Sequence, residues 1–119
     1  MSDPGERTRD WRLYVQDMVE FAEQAVGYAE GLDQQAFTTD RRTYDATLRN
    51  IELIGEAATH VPESVQREHP QVEWRQIVAT RNRVAHAYLG IDDDVIWDII
   101  QNELPDLLGA LRRLLAEQT

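Results

Sequence analysis

The chain has 119 residues, 42% of them hydrophobic, which suits a single domain spanning residues 1–119 with one apolar core. Its 22 acidic residues outnumber 12 basic ones, all arginine, for a net charge of −10; a protein that coats nucleic acid non-specifically is excluded, and any RNA contact has to be a local site. Cysteine is absent, which rules out disulfides and thiolate chemistry, and no apolar run has the length of a signal peptide core or membrane span, so a soluble cytoplasmic protein without membrane contact is expected.

In chain order, Trp11, Val15, Met18, Val19, Ala22, Ala25, Val26 and Ala29 recur at the spacing of one helix face, predicting a long first helix over residues 9–31. Gly31, Leu32 and Asp33 read as its stop. A connection through Phe37 leads to a second start at Thr39 or Asp40, both acceptable N-caps. The second helix runs to about His60 with the stripe Tyr44, Leu48, Ile51, Gly55 and Ala58, in which Gly55 lets another backbone approach closely.

Pro62 opens a short helical turn, Pro70 ends it, and Trp74 begins a third substantial helix that runs to Tyr88 and closes at Leu89 and Gly90. Asp92, Asp93 and Asp94 then sit where the positive end of a helix dipole favours carboxylates. They precede an apolar periodic run from Val95 to Leu115 that Pro105 should kink. No stretch alternates with the period of a strand. The expected fold is all-α, a bundle of four or five helices.

The third helix does not read as a plain core element. Trp74, Ile77, Val78, Val84, Ala85 and Tyr88 fall on one face, with Arg81 in its middle. A guanidinium there needs a partner or a task, because it cannot shed its charge. On the adjoining flank Arg75, Ala79, Asn82 and His86 form a single ridge, and Asn82 and His86 should touch. A cation, an amide, an imidazole that titrates near neutrality and a phenol thus gather within little more than two turns. Cleaving RNA without metal requires moving a proton off the ribose 2′-hydroxyl, neutralising charge on the phosphate, and protonating the leaving 5′-oxygen. His86 can transfer protons and Arg81 can clamp phosphate oxygens. The bland reading stays open on spacing alone: a histidine near a helix end is commonly a surface or capping residue, and an arginine on an apolar face commonly pairs with a carboxylate.

The segment Arg81, Asn82, Arg83, Val84, Ala85, His86 resembles the R-x4-6-H signature of the HEPN superfamily, and Tyr88 completes the R-N-x-x-x-H-x-Y form typical of HepT-like toxins. The stretch Ile54, Gly55, Glu56, Ala57, the Pro70 before Trp74, and residues 91–108 agree with the same pattern in order and spacing. The resemblance implies a HEPN bundle that forms a homodimer along the motif-bearing helix, so that two motifs line one cleft. It implies an endoribonuclease toxin of a type VII-like toxin-antitoxin pair, acting by 2′-hydroxyl attack. In that role Arg81 would be the phosphate clamp, His86 the general base or acid, and Asn82 the residue that orients His86 or the phosphate. It also implies a minimal nucleotidyltransferase (MntA-like) antitoxin that transfers AMP to Tyr88. No cofactor and no metal enter this chemistry.

Binding of long RNA by so acidic a chain is expected only if Arg41, Arg42, Arg75 and Arg83 gather around the cleft. Glu52 and Glu56, four apart, fit solvated or arginine-pairing carboxylates, with Arg81 or Arg49 as partner, better than a metal site. His60 and His69 lack second ligands at metal spacing. The competing functions are a non-catalytic nucleotide- or partner-binding subunit of a nucleotidyltransferase complex, and a helical scaffold.

Overall fold

The computed structural model describes residues 9–87 and 92–118, and these are helical almost throughout. Helix α1 is Trp11–Ala29, α2 Gln34–Thr39, α3 Arg41–Ala58, α4 Glu63–Glu68 and α5 Trp74–Ala87. Helix α6, Asp93–Asp98, passes into a π-turn at Ile99–Glu103 and on into α7, Leu104–Glu117. The described residues include no strand, and none of their helices is long and apolar enough to cross a membrane.

The helix starts follow from side-chain caps. Asp10 accepts from the Arg12 amide, Asp33 from Ala36, Asp40 from Thr43 and Asp92 from Asp94, each satisfying an orphan N–H of a first turn. Gly31 stands at φ +81°, where a side chain would be strained, and this ends the first helical segment. The connection expected through Phe37 is itself the short helix α2, which seats that ring against Tyr44 and Trp97.

The core lies where α1 packs on α3 and α7, and α3 on α5. Val15, Met18, Ala22, Ala25 and Ala29 of α1 are buried, as are Tyr44, Leu48, Ile51, Gly55 and Ala58 of α3. The two stripes read from the sequence therefore meet.

The irregularity expected at Pro105 takes the form of the π-turn, in which the Leu104 amide reaches back to the Ile99 carbonyl. Ile96, Ile100, Leu104 and Leu108 are buried at a uniform spacing of four. A regular α-helix drifts by about 40° at each such step. The wider turn takes up that drift just before the residue that cannot donate an N–H, and keeps the stripe on the core.

Three aspartates open α6, and their carboxylates do more than complement its dipole. Asp93 accepts from the Tyr44 hydroxyl at 3.1 Å and Asp94 from the Gln34 amide, tying α6 to α3 and α2. Burial, together with the bond to Asp93, raises the Tyr44 phenol above its ordinary pKa.

Candidate functional site

Helix α5 carries the candidate residues on two differently treated sides. Ile77 and Val84 point into the core, with Trp74 half-buried at the start of the helix and its indole N–H donating to the His69 carbonyl. Val78 and Ala85, expected on that same face, are exposed instead, Val78 to 37%. The bundle covers a narrower arc of α5 than the apolar pattern spans, so a strip of apolar surface stays open beside the motif.

Arg81 lies at the border of that arc, half-buried. Its position is set by Gly55 of α3: a Cβ built on Gly55 would stand 2.5 Å from Arg81 Cδ, 2.7 Å from Cβ and 2.9 Å from Cγ. The close approach predicted for Gly55 is thus made by the aliphatic stem of Arg81, which lies on the bare glycine. Among the described residues no hydrogen bond or ion pair engages the guanidinium.

The flank ridge of Arg75, Ala79, Asn82 and His86 is exposed along its whole length. Asn82 and His86 lie on it as expected, yet no hydrogen bond joins them or ties either side chain to another described residue. Tyr88, the expected modification site, lies outside the described residues.

Within one chain the motif does not converge. Residues five apart on a helix are separated by about 140° around its axis and about 7.5 Å along it. Arg81 and His86 therefore leave α5 on different flanks. Two cavities among the described residues lie elsewhere. One of about 510 Å³ is walled by α3, α5 and α7, with Ile51, Ile54, Ile77 and Leu104 among its lining residues. The second, about 280 Å³, includes Trp74, Arg75 and Val78 near the start of α5.

The arginines expected to gather around the cleft are dispersed. Arg83 turns away from the ridge to Glu103 of the π-turn, at 2.9 Å to each carboxylate oxygen. Arg41 lies over the Tyr44 ring and donates to the Thr38 carbonyl at the start of α3. Of these four, Arg75 alone shares the ridge with Asn82 and His86.

The weaker candidates resolve in the same way. Glu56 faces His60 at 3.7 Å rather than Arg81 or Arg49. His69 is buried against Trp11, with Nδ1 3.7 Å from Glu117. No group of three or more potential metal ligands occurs among the described residues.

Comparison with known proteins decides the family. Residues 18–114 match the HepT-like ribonuclease family, most of the chain including the whole of α5. The chain belongs to the HepT-like ribonuclease family. A probable ribonuclease HepT of Thermococcus cleftensis is 31% identical over 106 residues, which cover 89% of this chain and 96% of that protein. A putative RNase of Methanocaldococcus jannaschii is 28% identical over 109 residues, covering 92% and 90%. A putative RNase of Caldanaerobacter subterraneus is 27% identical over 107 residues, covering 90% and 96%. No solved structure matches. The HepT-like pattern thus extends over the bundle and is not confined to a short motif.

Proposed function

We propose that this HepT-like ribonuclease cleaves RNA without a metal ion, at a groove formed when two copies pair along α5. The observation that carries the reading is the state of the motif: Arg81 is seated on Gly55 with its head unengaged among the described residues, and Asn82 and His86 stand exposed on one ridge. A cation and an imidazole left open on an acidic chain are available to a ligand.

Pairing supplies the convergence that a single chain lacks. A two-fold interface brings the same patch of each copy together. The exposed Val78 and Ala85 offer it apolar surface, and the antiparallel approach of two α5 helices sets Arg81 of one copy near His86 of the other. The whole chain acts as one HepT-like domain in this assembly.

In the groove the ribose 2′-oxygen attacks the adjacent phosphorus and the bond to the 5′-oxygen breaks, leaving a 2′,3′-cyclic phosphate and a free 5′-hydroxyl. His86 carries out one of the two proton transfers and water the other. Arg81 holds the phosphate oxygens and compensates their growing charge. Asn82, on the same ridge as His86, orients it or the phosphate.

Regulation centres on Tyr88, two residues after His86 in the sequence. A nucleotidyltransferase antitoxin would transfer AMP to its hydroxyl, placing a bulky anion beside the motif cation and silencing the toxin by charge and size. Mass spectrometry of the chain co-produced with such an enzyme is expected to show one AMP on Tyr88, and an unmodified Tyr88 would remove this part of the reading.

The activity is tested by incubating purified protein with RNA in excess chelator. Wild type is expected to cleave and to leave cyclic phosphate ends, and His86→Ala to leave the RNA intact. Cleavage that stops with the chelator would contradict the mechanism. No cleavage by either protein would favour a nucleotide-binding subunit.

A further inference from the structure

The far side of α5 is held by one carboxylate. Glu103, in the π-turn, accepts from Gln76 Nε2 at 2.8 Å, Thr80 Oγ1 at 3.0 Å and Arg83 Nη2 at 2.9 Å. Arg83 also donates to Thr80 Oγ1 at 3.2 Å, which closes the cluster. The three donors are spaced by four and three along α5 and so form one ridge, about 100° around the helix from the ridge of Asn82 and His86. They span about two turns of the helix, so the contact fixes its rotation as well as its distance from α7.

Two features make this arrangement specific. The π-turn that Pro105 and the buried stripe require also sets the direction of Glu103, which precedes Leu104 at its end. The two arginines of the motif, moreover, are two residues apart and so leave α5 on roughly opposite sides. Glu103 is occupied by Arg83, Thr80 and Gln76, while the Arg81 stem is seated on Gly55 across the helix.

We infer that Glu103 is a positioning residue for the ribonuclease site. By binding Gln76, Thr80 and Arg83 it locks the rotation of α5, so that Arg81 and His86 meet the substrate at the required angle. This rests on the ribonuclease reading above. Neither Glu103 nor Arg83 touches the RNA in this account, so losing the contact acts on the chemical step more than on binding.

The test measures kcat and KM on a mixed-sequence single-stranded RNA oligonucleotide in excess chelator, with thermal melting on every variant. Glu103→Gln and Arg83→Met are each expected to lower kcat on the order of 10- to 100-fold while KM changes little, as misplacement of a catalytic group does. The exchanged pair, Arg83→Glu with Glu103→Arg, is expected to recover most of kcat, since the Thr80 hydroxyl and the Gln76 amide can turn to accept. Glu23→Gln, which breaks the exposed Arg112 pair between α1 and α7, is expected to leave kcat unchanged.

If Glu103→Gln proves unfolded, Arg83→Met and the exchanged pair carry the decision. Unchanged kcat in folded Glu103→Gln or Arg83→Met would overturn the inference, and so would a raised KM with normal kcat in Arg83→Met, which would make Arg83 an RNA contact. Failure of the exchange to recover kcat would also overturn it. The parallel His86→Ala variant separates the two levels. A dead His86→Ala beside a normal Glu103→Gln removes the positioning role alone, whereas no cleavage by wild type, or full cleavage by His86→Ala, removes both.

Discussion

The two flanks of α5 are built from similar residue types and are treated in opposite ways. On one, Gln76, Thr80 and Arg83 are bound to Glu103. On the other, Arg75, Asn82 and His86 stand exposed, and no hydrogen bond among the described residues holds Asn82 or His86. Arg81 leaves the helix in a third direction, its stem packed on Gly55 and its guanidinium without a hydrogen bond or ion pair to another described residue. On the proposed mechanism, the contrast is how an acidic bundle keeps a cationic site: acid is spent on the arginine that anchors the helix, and the arginine proposed to hold phosphate is held by packing instead. Charge alone does not separate Arg81 from Arg83; their neighbours do.

Breaking the open flank has the largest expected effect. His86→Ala should lower the initial cleavage rate by about 10²- to 10⁴-fold, the range of lost acid–base help, with an unchanged melting temperature because the side chain is exposed and no hydrogen bond or ion pair to a described residue holds it. Disturbing the seat of Arg81 comes next. In Gly55→Ala the new methyl collides with the base of the Arg81 side chain, so α5 itself has to shift. A stability loss of about 1–3 kcal/mol is expected from overpacking, and a fall in kcat should accompany it, measured by denaturant titration and by initial rates.

A smaller change is expected from Asn82→Ala, which keeps both the cation and the imidazole. Its kcat should fall less than that of His86→Ala while its stability is unaltered, and equal losses in the two variants would give Asn82 a larger role than orientation. The smallest effect belongs far from α5. Tyr44→Phe removes the bond to Asp93 and should cost on the order of 1 kcal/mol without touching cleavage. The Tyr44 phenol is raised in the fold, chiefly by burial. Its contribution to stability is therefore complete below the unfolded value of about 10 and is lost as pH rises through the folded one. Melting curves above that pH should fall more steeply for wild type than for Tyr44→Phe.

Much of the bundle was legible because its signals are local. Gly31, Asp40, Pro62 and Trp74 mark boundaries through their own backbone chemistry, and the stripes of α1 and α3 follow from periodicity. That Arg75, Ala79, Asn82 and His86 share one ridge followed from spacing in the same way; that the ridge is exposed did not.

What the sequence hid depends on distant partners. Helix α2 is too short to show a period, and its cap at Asp33 also reads as a loop residue. Val78 and Ala85 look like core residues until the width of the α3 contact is known. The fate of Arg83 is set by Glu103, twenty residues on, whose direction depends on a π-turn. Gly55 did announce a close approach. That a side-chain stem rather than a backbone fills it could be read only from the packing of α3 on α5.

The central claim, that Arg81 and His86 act together across two paired copies, is tested most directly by mixing two dead variants. Arg81→Ala and His86→Ala, each inactive alone, are co-produced so that the subunits combine at random. Half of the dimers are then mixed, and each mixed dimer holds one groove flank with an intact arginine facing an intact histidine, so about a quarter of the wild-type cleavage rate is expected to return. Mixed dimers as inactive as the parent variants would contradict the account.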